Sequence, residues 1–185
     1  MDYMNQKSYR LEIIRVLLRK NSHIREIAKK LNTNHMMIVR KIKELSKENV
    51  VDFTQEGKNQ TYFLKKTAET QAYVFITEKY SLLQTIVKYP ELRSIIEKIQ
   101  REKRIKLAVL FGSYAKGLAG KDSDVDVFIE TKNTNLKREL ALIDSKLSIK
   151  IGTYNKETNL IKEIDKNHVI IKGIEYYYEK NQFFG

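Results

Sequence analysis

Apolar residues recur at helical spacing through the first half of the chain and at strand spacing through much of the second. Leu11, Ile14, Leu17 and Leu18 form one stripe and predict a helix over 7–20, ending at Asn21-Ser22. Ile24, Ile27, Ala28 and Leu31 predict a second helix over 23–31. A short turn, Asn32-Thr33-Asn34, offers Thr33 as the N-cap of a third helix. That helix covers 34–47 and buries Met37 or Ile38 together with Ile42 and Leu45. Val50–Phe53 and Thr61–Leu64 read as strands joined by a polar turn that contains Gly57. A long helix follows over 67–88. Tyr89-Pro90 breaks it, because the residue before proline avoids helical angles and proline suits the first turn of a new helix. That next helix covers 91–104, with Leu92, Ile95, Ile96 and Ile99 inward.

From Ile105 the period changes. Strands are expected at 105–111 and 124–130, then a polar turn, a helix at 136–146, a strand at 147–154 and a helix at 156–166. Two short apolar runs, His168–Ile171 and Ile174–Tyr178, flank Gly173. The expected architecture is α+β: a winged helix-turn-helix over 1–66, a helical connector over 67–104, and a small mixed sheet with helices on one face over 105–185. In Tyr176-Tyr177-Tyr178, one core residue with exposed neighbours is the default, and a stacking platform for bases the alternative.

Charge sharpens this division. The net charge is +12. Residues 1–66 carry 15 Lys and Arg against 7 acids, whereas residues 105–185 carry 13 against 11. A compact basic region is the footprint of a nucleic-acid surface. The chain has no cysteine, which removes disulfides, thiolate metal sites and cysteine nucleophiles and fits a reducing cytoplasm. No apolar run approaches the ~20 residues of a membrane span, and the first residues lack the apolar core of a signal peptide. The expected location is cytoplasmic. The three histidines, His23, His35 and His168, show no zinc-ligand spacing. Ser113 has no His/Asp set at a recognised spacing, which argues against hydrolase chemistry through it.

The candidate chemistry lies in one stretch. An apolar run, Leu107 to Phe111, stops at Gly112-Ser113, followed by Tyr114-Ala115-Lys116-Gly117. Ser113 can open a short helix whose backbone N–H groups and hydroxyl face a docked anion. Asp124-Val125-Asp126-Val127 then alternates with period two, placing both carboxylates on one side about 7 Å apart at ~3.3 Å rise per residue. Such a pair repels itself unless a cation sits between. Mg²⁺ favours a few carboxylates plus phosphate oxygens. The residues therefore read as a phosphate cradle beside a metal seat.

Gly-Ser, ten residues, then Asp-x-Asp resembles the signature of the polymerase-beta nucleotidyltransferase superfamily in its minimal form, over roughly residues 105–175. The resemblance implies that Gly112, Ser113 and Lys116 bind the nucleotide and that Asp124 and Asp126 are catalytic and hold Mg²⁺. It also implies a third acid on a later strand. The polar slot of that strand, between Ile149 and Ile151, holds Lys150. Either the site is catalytically weak or dead and holds nucleotide with Lys150 against a phosphate, or the strand register differs and another acid such as Glu130 or Asp144 approaches it.

Residues 23–51 resemble the winged-helix regulators of bacteria and archaea by apolar spacing. That resemblance places the third helix in a major groove, with Asn34, His35, Met36, Val39, Arg40 and Lys43 outward and Lys58 and Asn59 at the wing tip. Arg40 and Lys43 suit phosphate or guanine, and Asn34 a base edge. Two functions follow. One is a magnesium-dependent enzyme moving NMP from NTP to an acceptor, a partner toxin being one acceptor the family suggests. The other is a DNA-binding transcriptional regulator with a nucleotide-sensing or inactive domain. A homodimer formed through the connector fits either.

Overall fold

The computed structural model describes residues 8–57, 59–131, 133, 135–142 and 144–184. They divide into two compact units, the first running to Thr77 and including Phe184, the second covering Glu78–Phe183.

The first unit contains α1 (Tyr9–Arg19), α2 (Ile24–Leu31), α3 (His35–Lys47), β1 (Val51–Glu56) and β2 (Asn59–Leu64). Strands β1 and β2 pair antiparallel from Val51 opposite Leu64 outward. Ser22 bridges to Tyr62 as a minimal third strand, so the order is helix, bridge, helix, helix, hairpin. This is a winged helix-turn-helix. Ile13, Ile14, Leu17, Ile27, Leu31, Ile38, Ile42 and Leu45 are all buried. On α1 the buried face also takes in Ile13 and Val16, while Leu11 and Leu18 are half-buried. The α2–α3 turn differs from expectation. Asn32 ends α2 in the left-handed region, and the N-cap of α3 is Asn34, not Thr33. Asn tolerates that region better than other non-glycine residues, and its amide oxygen caps well.

Helix α4 (Ala68–Lys88) carries the division between the units. Its burial departs from simple amphipathicity. Thr70, Thr77, Glu78 and Ser81 are buried, whereas Ile76, Leu83 and Val87 are exposed. Three of the four buried polar side chains are hydrogen-bonded: Thr77 donates to Tyr73 O, Thr70 to Val50 O, and Glu78 accepts from Tyr178.

The second unit continues with a 3₁₀ turn (Pro90–Leu92), α5 (Arg93–Arg101), β3 (Leu107–Leu110), α6 (Gly112–Ala115), β4 (Val125–Glu130), α7 (Asn135–Ala141), β5 (Leu147–Gly152), α8 (Asn159–Lys166), β6 (Val169–Lys172) and α9 (Ile174–Lys180). The sheet order is β5-β4-β3-β6, with β4–β5 parallel and the other pairs antiparallel. Ala108, Leu110, Val125, Val127, Ile129, Ile149 and Ile171 share one buried cluster with Leu92, Ile95, Ile96 and Ile99, and with Leu136 and Leu140. Helix α5, assigned by sequence to the connector, thus packs into the core of this sheet.

The sheet differs from expectation in one respect. Helices do not lie on one face only: Val109, Phe128 and Ile170, of the opposite parity, are buried too, and Tyr176 of α9 donates to Glu130 on that side. The run after Gly173 is a helix, because Gly173 adopts a left-handed conformation (φ 82°) that turns the chain out of β6. Within it Tyr177 and Tyr178 are both buried and Tyr176 is half-buried, so the triplet is mostly core.

Candidate functional site

Strand β3 is buried along its whole length, and Phe111 extends its ladder by donating to Asp126 O (3.0 Å). Gly112 then enters the left-handed region (φ 68°) and opens α6. A methyl group at Gly112 would overlap Asp126 Oδ2 and come within 3.3 Å of its Cγ. Only glycine lets the turn lie directly against that carboxylate. The turn closes on itself: Gly117 N donates to Tyr114 O, and Leu118 N to Ser113 O. Gly117 also has positive φ, 71°.

Tyr114 anchors this turn from below. It is buried, stacks edge-on with Tyr89 at 4.8 Å, and donates to Glu91 Oε1. Burial and then the Glu91 charge raise its pKa, so it stays a neutral donor. Lys88 donates to Gly117 O (2.7 Å), and Lys116 pairs with Glu163 at 3.4 Å.

Asp124 and Asp126 follow a closed turn in which Gly120 N donates to Ser123 Oγ. Asp124 precedes β4 and is exposed, while Asp126 lies within β4 and is half-buried. Val125 and Val127 between and beyond them are buried on the other face, so the alternation places both carboxylates on one side. Among the described residues neither carboxylate has a hydrogen-bond or ion-pair partner. Gly112, Ser113, Asp124 and Asp126 are therefore gathered at one end of the β3–β4 pair.

The parallel register revises the third-acid question. Ser148 of β5 lies alongside Asp126, and Lys150 lies one pair further along, beside Phe128. Lys150 is thus not the immediate neighbour of the carboxylate. Of the other acids considered, Glu130 accepts from Tyr176 through Oε1, and its Oε2 is buried with no hydrogen-bond partner. Asp144 accepts from Lys146 N in the turn that leads into β5. Among the described residues no group of three His or acid side chains is placed to hold a metal ion. Two unpartnered carboxylates remain, a donor set that fits one hard divalent ion completed by phosphate oxygens.

Sequence reasoning passed over Lys88, Tyr114 and Ser148. Lys88 meets the turn through the fold, and Tyr114, within the turn, finds Tyr89 and Glu91 the same way, with no local signal. Ser148 needed only the β4–β5 register.

In the first unit, Asn34, His35, Arg40 and Lys43 are exposed along α3, and Val39 is half-buried. Asn34 Oδ1 accepts from Met36 N at 2.7 Å, so its amide oxygen is engaged as the cap. Lys58, expected at the wing tip, lies outside the described residues.

Residues 92–180 match the family model of a nucleotidyltransferase domain. The match begins at the 3₁₀ turn and takes in α5 and the whole sheet. Among solved structures, the chain is similar to the adhesin competence repressor of Streptococcus pyogenes, with 16% identity, TM-score 0.42, and coverage of 50% of this chain and 69% of that one. It is also similar to the homodimeric winged helix-turn-helix DNA-binding domain of a possible ArsR-family transcriptional regulator from Mycobacterium bovis. There the identity is 18%, the TM-score 0.33, and the coverage 48% of this chain and 76% of that one. No curated protein sequence matches the chain. The winged-helix assignment rests on the unit's own helix order and hairpin. No helix among the described residues is long and apolar enough to cross a membrane.

Proposed function

We propose that the chain is a nucleotidyltransferase that moves NMP from NTP to an acceptor hydroxyl, with Mg²⁺, and that its winged helix binds DNA. The observation that carries the first part is the contact between the Gly112 turn and Asp126, with Asp124 on the same side, inside a matched nucleotidyltransferase domain. Gly112 and Ser113 hold the terminal phosphates, and Lys116 exchanges its Glu163 partner for one of them. Asp124 and Asp126 hold the metal ion. When bound, that ion supplies charge neutralisation on the phosphate oxygens and on the departing pyrophosphate. The turn orients the α-phosphorus toward the acceptor. The acceptor oxygen forms the new P–O bond, its proton passes to solvent, and pyrophosphate leaves with the electron pair of the broken bond.

The exposed Arg40 and Lys43 carry the DNA reading. His35 stands beside them on the groove-facing side. In this reading residues 1–66 address a locus, 67–104 connect, and the remainder does the chemistry. A protein acceptor such as a partner toxin, and a homodimer, are compatible partners. A second reading, a DNA-binding regulator that senses nucleotide without transfer, is favoured by one observation: neutral Ser148 stands alongside Asp126.

The test incubates full-length protein with each labelled NTP, Mg²⁺ and candidate acceptors. Transfer that disappears in Asp124→Asn supports the enzyme, and unchanged transfer overturns it. Nucleotide binding without transfer selects the sensing regulator. For DNA, Arg40→Ala with Lys43→Ala should lower affinity and reduce the salt slope by about two. Undiminished binding would remove α3 from the interface.

A further inference from the structure

We propose that Lys150 is a triphosphate ligand of this site, its ammonium reaching back along β5 to supply positive charge beside the Asp126 end of the sheet. The inference rests on the nucleotidyltransferase reading above and deepens it. Strand β5 is the edge of the sheet and pairs in parallel with β4, so residues in register share a face. Asp126, Phe128, Ser148 and Lys150 therefore lie on one side. Lys150 is offset from Asp126 by one strand spacing and two residues, which places the two Cα atoms about 8 Å apart. A lysine's flexible four-carbon stem spans much of that distance.

The charge pattern gives the site its need for such a group. Two carboxylates plus phosphate oxygens suffice for one hard divalent ion. A second ion has no anionic seat, since Ser148 is neutral and the described residues hold no three-acid cluster. The triphosphate then keeps negative charge that one ion does not balance. Lys150 is exposed, and among the described residues it forms no ion pair or hydrogen bond. Lys116, by contrast, is paired with Glu163. The Asp126 carboxylate attracts an ammonium within that reach, and a bound triphosphate more so, which lets the lysine complete the cationic side of a phosphate cradle.

The test needs neither acceptor nor base preference. Full-length protein is titrated calorimetrically with inorganic tripolyphosphate in Mg²⁺, using the parent, Lys150→Ala, Lys150→Arg and Asp124→Asn. The expected result is binding by the parent, about tenfold weaker binding by Lys150→Ala, and recovery to within about threefold by Lys150→Arg, as for a charged hydrogen bond. All variants should keep the parental melting temperature, because both residues are exposed. Parental affinity in Lys150→Ala, with binding lost in Asp124→Asn, overturns the lysine role and leaves the nucleotidyltransferase reading standing. Equal weakening in Lys150→Ala and Lys150→Arg overturns it as well, since a cation at that position would then not be what binds. No binding by the parent overturns both.

Discussion

The α3 face and the Gly112–Asp126 contact are both built around charge, yet they are made in opposite ways. On α3, Arg40 and Lys43 stand in solvent on a helix whose other side, Ile38, Ile42 and Leu45, does the packing. Either cation can move by an ångström without disturbing the fold. At the turn, backbone and carboxylate touch, and an added Cβ requires Asp126 to move. The first kind of site works through a field that several residues share. The second works through a contact that one residue type permits. Substitutions on α3 should thus act gradually, and substitutions at the turn all at once.

The largest expected effect is at Gly112. Alanine there meets both the left-handed backbone (φ 68°) and the Asp126 carboxylate. Strain of this kind costs about 1–3 kcal/mol. Relieving it moves Asp126, so metal-dependent tripolyphosphate binding should fall at least tenfold while the protein stays folded. Calorimetry with urea denaturation on the same preparation measures both. Parental binding by Gly112→Ala would show that the contact yields, and the contrast with α3 would disappear.

The part of this arrangement that was legible in the sequence follows the same line. Gly112, Ser113, Asp124 and Asp126 could be read because each is a residue type demanded at a fixed spacing by a turn or an alternating strand. The exposed side of α3 could be read because a 3.6-residue period separates Ile38, Ile42 and Leu45 from Arg40 and Lys43. Pairing between distant segments was not legible. No local pattern says that Ser148, rather than Lys150, lies alongside Asp126, because a parallel register is fixed by the crossover through α7. Nor does any pattern say that Tyr178 will satisfy Glu78, which is what allows a carboxylate to be buried on α4. The run Ile174–Tyr178 has strand-like composition, and Gly173 with its positive φ overrides that preference by redirecting the chain.

A smaller effect sharpens the α3 side. Asn34 was assigned to a base edge, and its Oδ1 is instead engaged with Met36 N. Asn34→Ala should destabilise the protein by about 1 kcal/mol, and Asn34→Ser should restore most of that loss. DNA affinity separates the two roles. If the residue is only a cap, Asn34→Ser binds DNA like the parent. If its amide also reads a base, Asn34→Ser is stable yet discriminates less between sequences.

The smallest effect tests whether contact alone, or contact without access to solvent, sets the turn apart. Arg104 is held by two carboxylates, donating to Glu102 at 2.8 Å and to Glu139 at 2.6 Å. This is as close a charge contact as any at the site, but it lies at the surface, where water and salt screen it. The Arg104 hydrogen bonds pull the Glu102 pKa down to about 2 from an ordinary 4.5, and they lower that of Glu139 in the same direction. A depressed carboxylate stabilises the folded state above its unfolded pKa and loses that contribution as pH falls through the folded one. The stability difference between the parent and Arg104→Ala should therefore be constant above about pH 5, shrink between about 4.5 and 2, and shrink further in high salt. Urea midpoints across that window measure it. A loss in Arg104→Ala as large as that in Gly112→Ala would mean that close charge contact is enough by itself, wherever it sits. A small, salt-sensitive loss would mean that the turn owes its intolerance to the absence of any room or solvent between Gly112 and Asp126.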